Sequence, residues 1–315
     1  MDIYIDEPNL ESFLNQKSNT LYEDALKLLK RQLDLRFNFS KDRLKENRNL
    51  TPLIPLLTSG LGNTQITFNN DFPSRPLKSN SANDFDSNQL SAVYWISDDD
   101  CNKLIDSGSV ILGEPGQELN IINQLFFLQE DYLFEKKWRI NGAGFNQWTD
   151  IQDYSLPLTD IIIVDNYILS SKEIFATNLL SYLAVLMTKS QSKANVVVYA
   201  HPDRIDGDET EILKEIKKCI KGATGKKGTA TLIKTRKEHD RTILTNYNRV
   251  YSGDTFNFWD GAGRKITKGK EITYSSNARS DNHQLFKDLI VDLQDIIDKN
   301  PENISGDKVS GYLNF

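Results

Sequence analysis

Apolar positions are patterned most clearly in the second half of the chain. From Asp160 to Leu169 the run is near-continuous, as in a strand covered on both faces. Ser170 or Ser171 then offers an N-cap to a stretch in which Ile174, Leu179, Leu180, Leu183 and Leu186 recur at helical spacing, and Ala194 to Ala200 forms another apolar run. A strand, a helix and a parallel strand make a βαβ unit, whose crossover is right-handed. A lysine-rich amphipathic helix follows from about Glu209 to Lys221, then a Gly-Lys loop to Gly228 and a strand from Thr229 to Lys234. Strands are predicted from Arg241 to Leu244 and again up to about Tyr251. A Gly- and Lys-rich turn covers Asp260 to Gly269, and an amphipathic helix runs from about His283 to Asp298. The pattern predicts an α/β fold with a mixed sheet and flanking helices.

The first half alternates more irregularly. Ile3, Tyr4 and Ile5 predict a short strand closed by Asp6, Glu7 and Pro8. Thr20 and Glu23 have capping-box spacing ahead of a helix from about Leu21 to Arg36. Residues 58–89 are rich in Ser, Asn, Asp, Pro and Gly, the composition of a long loop. Ser91 to Ile96 predicts a strand that ends at Asp98, Asp99 and Asp100, before a short helix near Asn102 and an apolar run from Val110 to Leu112. Aromatics crowd residues 116–157 beside Lys136, Lys137 and Arg139; such a set closes a core more often than it stacks bases. The chain divides into residues 1–157, an α/β region of unknown type, and residues 158–315.

The chain has 315 residues, 38% of them hydrophobic, enough to fill a sizeable core. Cys101 and Cys219 lie too far apart for a CxxC clip, which predicts idle thiols in a reducing compartment. The acidic amino terminus has no leader character, and the longest apolar stretches are about half of what a bilayer requires. A cytoplasmic protein is the expectation. Net charge is −6, but residues 214–270 hold fifteen basic and five acidic side chains, so +10 in that window offsets −16 elsewhere. A basic block of this size suits nucleic acid or, alternatively, an anionic lipid head group.

Candidate chemistry lies within that block. If residues 241–244 form a strand, His239 and Arg241 project from one face, a pairing suited to phosphate, with Thr245 and Asn246 at the strand's far end. Lys234, Arg236 and Lys237 precede the pair. The turn holding Ser252 and Gly253 can turn backbone amides toward the same anion, with Asn257 close behind. Asp6 and Asp98 to Asp100 stand at strand ends, where a two-carboxylate metal site of a PIN-like nuclease would be assembled. Helix capping and turn formation account for them more simply, and no metal or cofactor is expected.

The spacing of His239, Arg241, Asn246 and Gly253 resembles the phospholipase D superfamily, whose signature is HxKxxxxD followed six residues later by GSxN. Arg241 stands for the lysine, Asn246 for the aspartate and Asp254 for the serine, while Asn257 lies one place beyond the expected asparagine. The run His-Asp-Arg-x-Ile with a downstream Gly and Phe resembles still more closely the phospholipase-D-like C-terminal domain of MIT-domain proteins. The resemblance covers about residues 158–295. It implies a phospholipase-D-like carboxyl-terminal half and, for catalytic members, a phosphodiesterase or nuclease with His239 as nucleophile. A second histidine would protonate the leaving oxygen, and since the chain has one such motif, catalysis requires a homodimer. In the MIT-domain group the fold is implied to bind phosphoinositide membranes without hydrolysis. Asn246 lacks the charge that would stabilise an imidazolium, so binding should survive these departures better than turnover.

Overall fold

A computed structural model describes residues 1–58, 65–70, 91–95, 110–111, 118–128, 134–140, 144–237, 241–266 and 271–315. It is an α/β structure built on two sheets with flanking helices. The first sheet comprises β1 (Asp2–Ile5), β2 (Asp34–Phe37), β3 (Ile66–Thr67), β4 (Val93–Trp95) and β5 (Val110–Ile111), all parallel, in the order β3-β2-β1-β4-β5. Asp6 does not end the order that β1 begins. Its carboxylate caps a helix over Glu7–Leu14 by accepting from the Asn9 backbone amide at 2.9 Å, with Pro8 in the first turn, where its missing N–H costs nothing. The predicted helix from Leu21 to Arg36 is shorter, Tyr22–Arg31, and its capping box does not form. Residues 34–37 leave the helix because they pair with β1, where Leu35 and Phe37 are buried.

The second sheet is mixed and has eight strands: β6 (Glu135–Arg139), β7 (Asp160–Val164), β8 (Asn195–Ala200), β9 (Thr229–Lys234), β10 (Thr242–Thr245), β11 (Asn248–Ser252), β12 (Glu271–Ser276) and β13 (Ile304–Gly306). Their order is β13-β9-β8-β7-β10-β11-β12-β6, with β7, β8 and β9 mutually parallel and the remaining pairs antiparallel. Two of these strands escape the hydrophobic pattern. β6 is charged at four of five positions, and β12 lies where the turn-rich stretch ends; pairing with each other supplies what their propensity does not.

Alternation along β7 and β8 sends successive side chains to opposite faces, and both faces are covered. Ile161, Ile163, Val196 and Val198 pack beneath the helices that follow β7 and β8, whereas Ile162, Val164, Val197 and Tyr199 pack under Phe286, Ile290 and Leu293 of the helix Ser280–Lys299. Of the described aromatics of residues 116–157, Phe126, Phe127, Phe134, Trp138, Phe145 and Trp148 are buried core residues and Tyr154 is half-buried against them, with Trp148 stacked on Tyr182 at 4.0 Å. The crossover helix after β7 runs over 172–186 and contains a π-helical segment, Phe175–Leu180.

The sheets meet where β10 turns into β11. Tyr247 is buried in the core of the first sheet and donates from its hydroxyl to the Ala92 carbonyl at 3.0 Å. Beside it, the Asn246 side-chain carbonyl accepts the backbone amides of Thr159 at 2.7 Å and Asp160 at 3.2 Å, and its amide donates to the Thr159 and Tyr312 hydroxyls. These two backbone donors are buried, so removing their acceptor leaves both unsatisfied. Asn246→Ala is therefore expected to cost about 2–4 kcal/mol of folding stability in urea denaturation, with the midpoint shifted and the slope unchanged.

Candidate functional site

The ends of β7, β8, β9 and β11, together with the start of β10, share one edge of the second sheet. The crevice outside the carboxyl ends of parallel strands is the usual ligand site of an open α/β sheet. At its centre stands Asp165, 1% exposed, directly after β7. One carboxylate oxygen accepts from the Tyr167 amide at 2.9 Å; the other accepts from the Thr255 hydroxyl and the Phe256 amide, both at 2.7 Å. Burial pushes this carboxyl above its ordinary range, against the three hydrogen bonds and the charge of Arg241, which pull it down. Arg241 enters β10 beside it, its guanidinium carbon 6.0 Å from the centre of the Tyr167 ring. Its Nε is buried and, among the described residues, makes no hydrogen bond.

The segment after β11 is clamped along its length. Ser252 accepts from the Asp254 amide, and Asn257 donates to the Tyr167 carbonyl at 2.7 Å. Asn178, fully buried in the π segment, accepts from the Phe258 and Trp259 amides at 2.8 and 3.0 Å and donates to the Trp259 carbonyl at 2.8 Å. Gly253 sits at the exposed bend of this segment, with open space where a Cβ would stand. The buried Oδ1 of Asn257, like Arg241 Nε, has no partner among the described residues.

The sequence-derived candidates fall into three groups. Arg241, Ser252, Gly253 and Asn257 do converge on this edge, as do Lys237 and the His201 to Arg204 turn after β8. Lys234 and Arg236 also lie here but are already engaged: Lys234 donates to Glu209 at 2.8 Å, and Arg236 grips Asp203 through two hydrogen bonds of 2.5 and 2.9 Å. The Arg236 guanidinium holds the Asp203 carboxyl below its usual range, and the Lys234 ammonium does the same to Glu209. Thr245 and Asn246 stand at the opposite edge. Four strand residues separate Arg241 from Asn246, a span of roughly 17 Å. Thr245 is taken up by the β10–β11 turn, accepting from the Asn248 amide, and Asn246 by its four buried bonds, so neither belongs to a cluster with Arg241.

His239 and its neighbours Glu238 and Asp240 lie outside the described residues, as do Asp98 to Asp100 and Cys101. Among the described residues no group of three or more His, Cys, Asp and Glu side chains is arranged to hold a metal. His201 accepts from the Asp203 amide through Nδ1 at 3.2 Å, a capping role in the turn after β8. Burial pushes the Cys219 thiol up to about 11, which leaves it protonated and unreactive. No described helix is long and apolar enough to cross a membrane. Three parts of the site were not singled out from sequence: Asp165, Arg204 and Asn178. Only Asp165 carried a signal, a carboxylate placed directly after an apolar run.

No family model matches the chain, and no curated protein does. Among solved structures, a match is found to TrmBL2, an archaeal chromatin protein reported to show a novel mode of DNA binding, at 10% identity and a TM-score of 0.28. It covers 61% of this chain and 60% of that one, a similarity too low to equate the two folds.

The raised Asp165 carboxyl fixes a sign. Because its proton is held more tightly in the folded chain, its contribution to stability falls as pH rises from 3.8, its unperturbed value, through the higher folded value. Asp165→Asn removes that contribution. The stability difference, wild type minus variant, should therefore decrease with rising pH across this window in urea denaturation series.

Proposed function

We propose that the carboxyl edge of the second sheet recognises the phosphodiester groups of nucleic acid, with Arg241 as the central contact. The observation that carries this reading is the state of Arg241: half-buried, near enough to Asp165 for their charges to interact, 6.0 Å from the centre of the Tyr167 ring, and with a buried Nε that has no acceptor among the described residues. A guanidinium so placed presents a planar fork of donors to a bidentate phosphate. Lys237 and Arg204 add exposed charge at the same edge, and neither is in an ion pair among the described residues. The resemblance to the phospholipase D superfamily points to the same ligand.

Binding is favoured over hydrolysis. In the superfamily pattern the position held by Asn246 orients the histidine, and here that side chain is committed at the other edge of the sheet. Cleavage through His239 would further require a second histidine from a partner chain to protonate the leaving oxygen. Membrane lipid is the competing ligand, since a phosphatidyl head group carries the same phosphodiester.

Fluorescence anisotropy with a labelled oligonucleotide tests the reading. Arg241→Ala should weaken binding by about 10- to 100-fold, the loss of a charged hydrogen-bonding partner, and the affinity of the wild type should fall steeply with salt. Equal affinity of variant and wild type would overturn it, as would tight binding only to vesicles containing phosphatidylserine. Incubation of the same oligonucleotide with EDTA should leave it uncut. Cleavage that disappears in His239→Ala would instead establish the nuclease.

A further inference from the structure

Tyr167 is 37% exposed, one of five large apolar side chains at the surface among the described residues, and it stands directly beside the buried carboxylate of the site. It is not a loose loop residue. Its amide donates to Asp165, while its carbonyl accepts from Asn257 at 2.7 Å and from the Ser170 amide at 3.0 Å. The backbone is thus tied at three points, which fixes where the side chain leaves the chain, and the ring is only partly covered among the described residues.

Two guanidiniums flank that ring, Arg204 at 5.5 Å and Arg241 at 6.0 Å from its centre. Both cations stand over the ring near the outer limit of a cation–π contact, and the side chain keeps its 37% exposure. A partly open aromatic ring close to two cations is matched to a nucleotide, which carries a flat base a short distance from a phosphate. A lipid head group offers the phosphate but no plane to stack. A duplex offers both, but its base faces are already stacked on one another.

From this arrangement we infer that Tyr167 is a stacking platform for an unpaired nucleobase, so that the ligand of the site is single-stranded nucleic acid. The inference rests on the phosphodiester reading of Arg241 and narrows it. Arg204 and Arg241 hold the phosphates on either side of the stacked nucleotide, and the ring, tolerant of any base, gives affinity with little sequence preference. Tyr167 acts on the base alone.

Three labelled probes of equal length separate the two readings: a single-stranded oligonucleotide, a fully abasic strand, and the duplex of the first. The single strand should bind on the order of tenfold or more tighter than the abasic strand, the value of one stacked base. Tyr167→Ala should bring the two affinities together, and Tyr167→Trp should keep them apart; because the side chain is exposed, both variants should retain the wild-type circular dichroism and melting temperature. Arg204→Ala should weaken the intact and abasic strands alike. Equal binding of intact and abasic strands, with the Arg241 dependence preserved, would overturn the stacking role and leave phosphodiester recognition standing. Tighter binding of the duplex than of the single strand would also overturn it. Failure of both single strands to bind would defeat the phosphodiester reading itself.

Discussion

The second sheet is organised by β7, a strand buried on both faces and bracketed by two carboxylates, Asp160 and Asp165. Burying apolar residues on both faces leaves the strand no solvated side, so the acidic groups at its ends must find donors inside the protein. They find them far away in sequence. Asp160 accepts from Asn195 and from the Gly311 amide near the carboxyl terminus; Asp165 accepts from Thr255 and Phe256. A demand created by five residues thereby fixes the position of the terminal segment and of the segment after β11.

The two ends of that strand do different work. At the Asp160 end, Asn246, Tyr247 and Tyr312 join the second sheet to the first, and Ser91 meets Tyr312 across 3.4 Å. At the Asp165 end a buried carboxylate is followed by cations and an aromatic ring that stay partly open at the edge of the sheet. This separation accounts for the fate of the basic block. Much of its charge is paired on the spot: Lys217 with Asp307, Lys234 with Glu209, Arg236 with Asp203, Arg264 with Asp260. What remains to attract an anion at the carboxyl edge is a few guanidinium and ammonium groups, and their placement matters more than the total.

The sequence made the centre of the fold legible and its margins obscure. β7, β8, β9 and the helices between them follow from apolar run length and caps, because both faces of those strands are buried. β6 and β12 have no such run; they exist through pairing, which a local pattern does not contain. Residues 34–37 satisfied a helical period and were drawn into a strand by β1. In the candidate site, the linear spacing of the motif said nothing of how far a strand carries its last residue from its first, which is why Thr245 and Asn246 stand apart from Arg241. Arg204 and Asn178 gave no signal, since an exposed arginine and a mid-helix asparagine are ordinary until the chain segments that face them are known.

The π-helical segment has a bearing on how chain length would affect this protein. Six residues, Phe175–Leu180, carry the wider turn, and Asn178 within them holds both Phe258 and Trp259. Deleting a single residue there would let an ordinary α-helix form with the residues beyond it nearly in phase, because the wider turn absorbs one extra residue. The apolar stripe of the crossover helix would keep its phase; Asn178, which serves four backbone groups, would lose the wider turn that seats it among them. Length at this one place is therefore coupled to the shape of the segment after β11, eighty residues away, and a shortened relative would keep the sheet yet present a differently shaped rim.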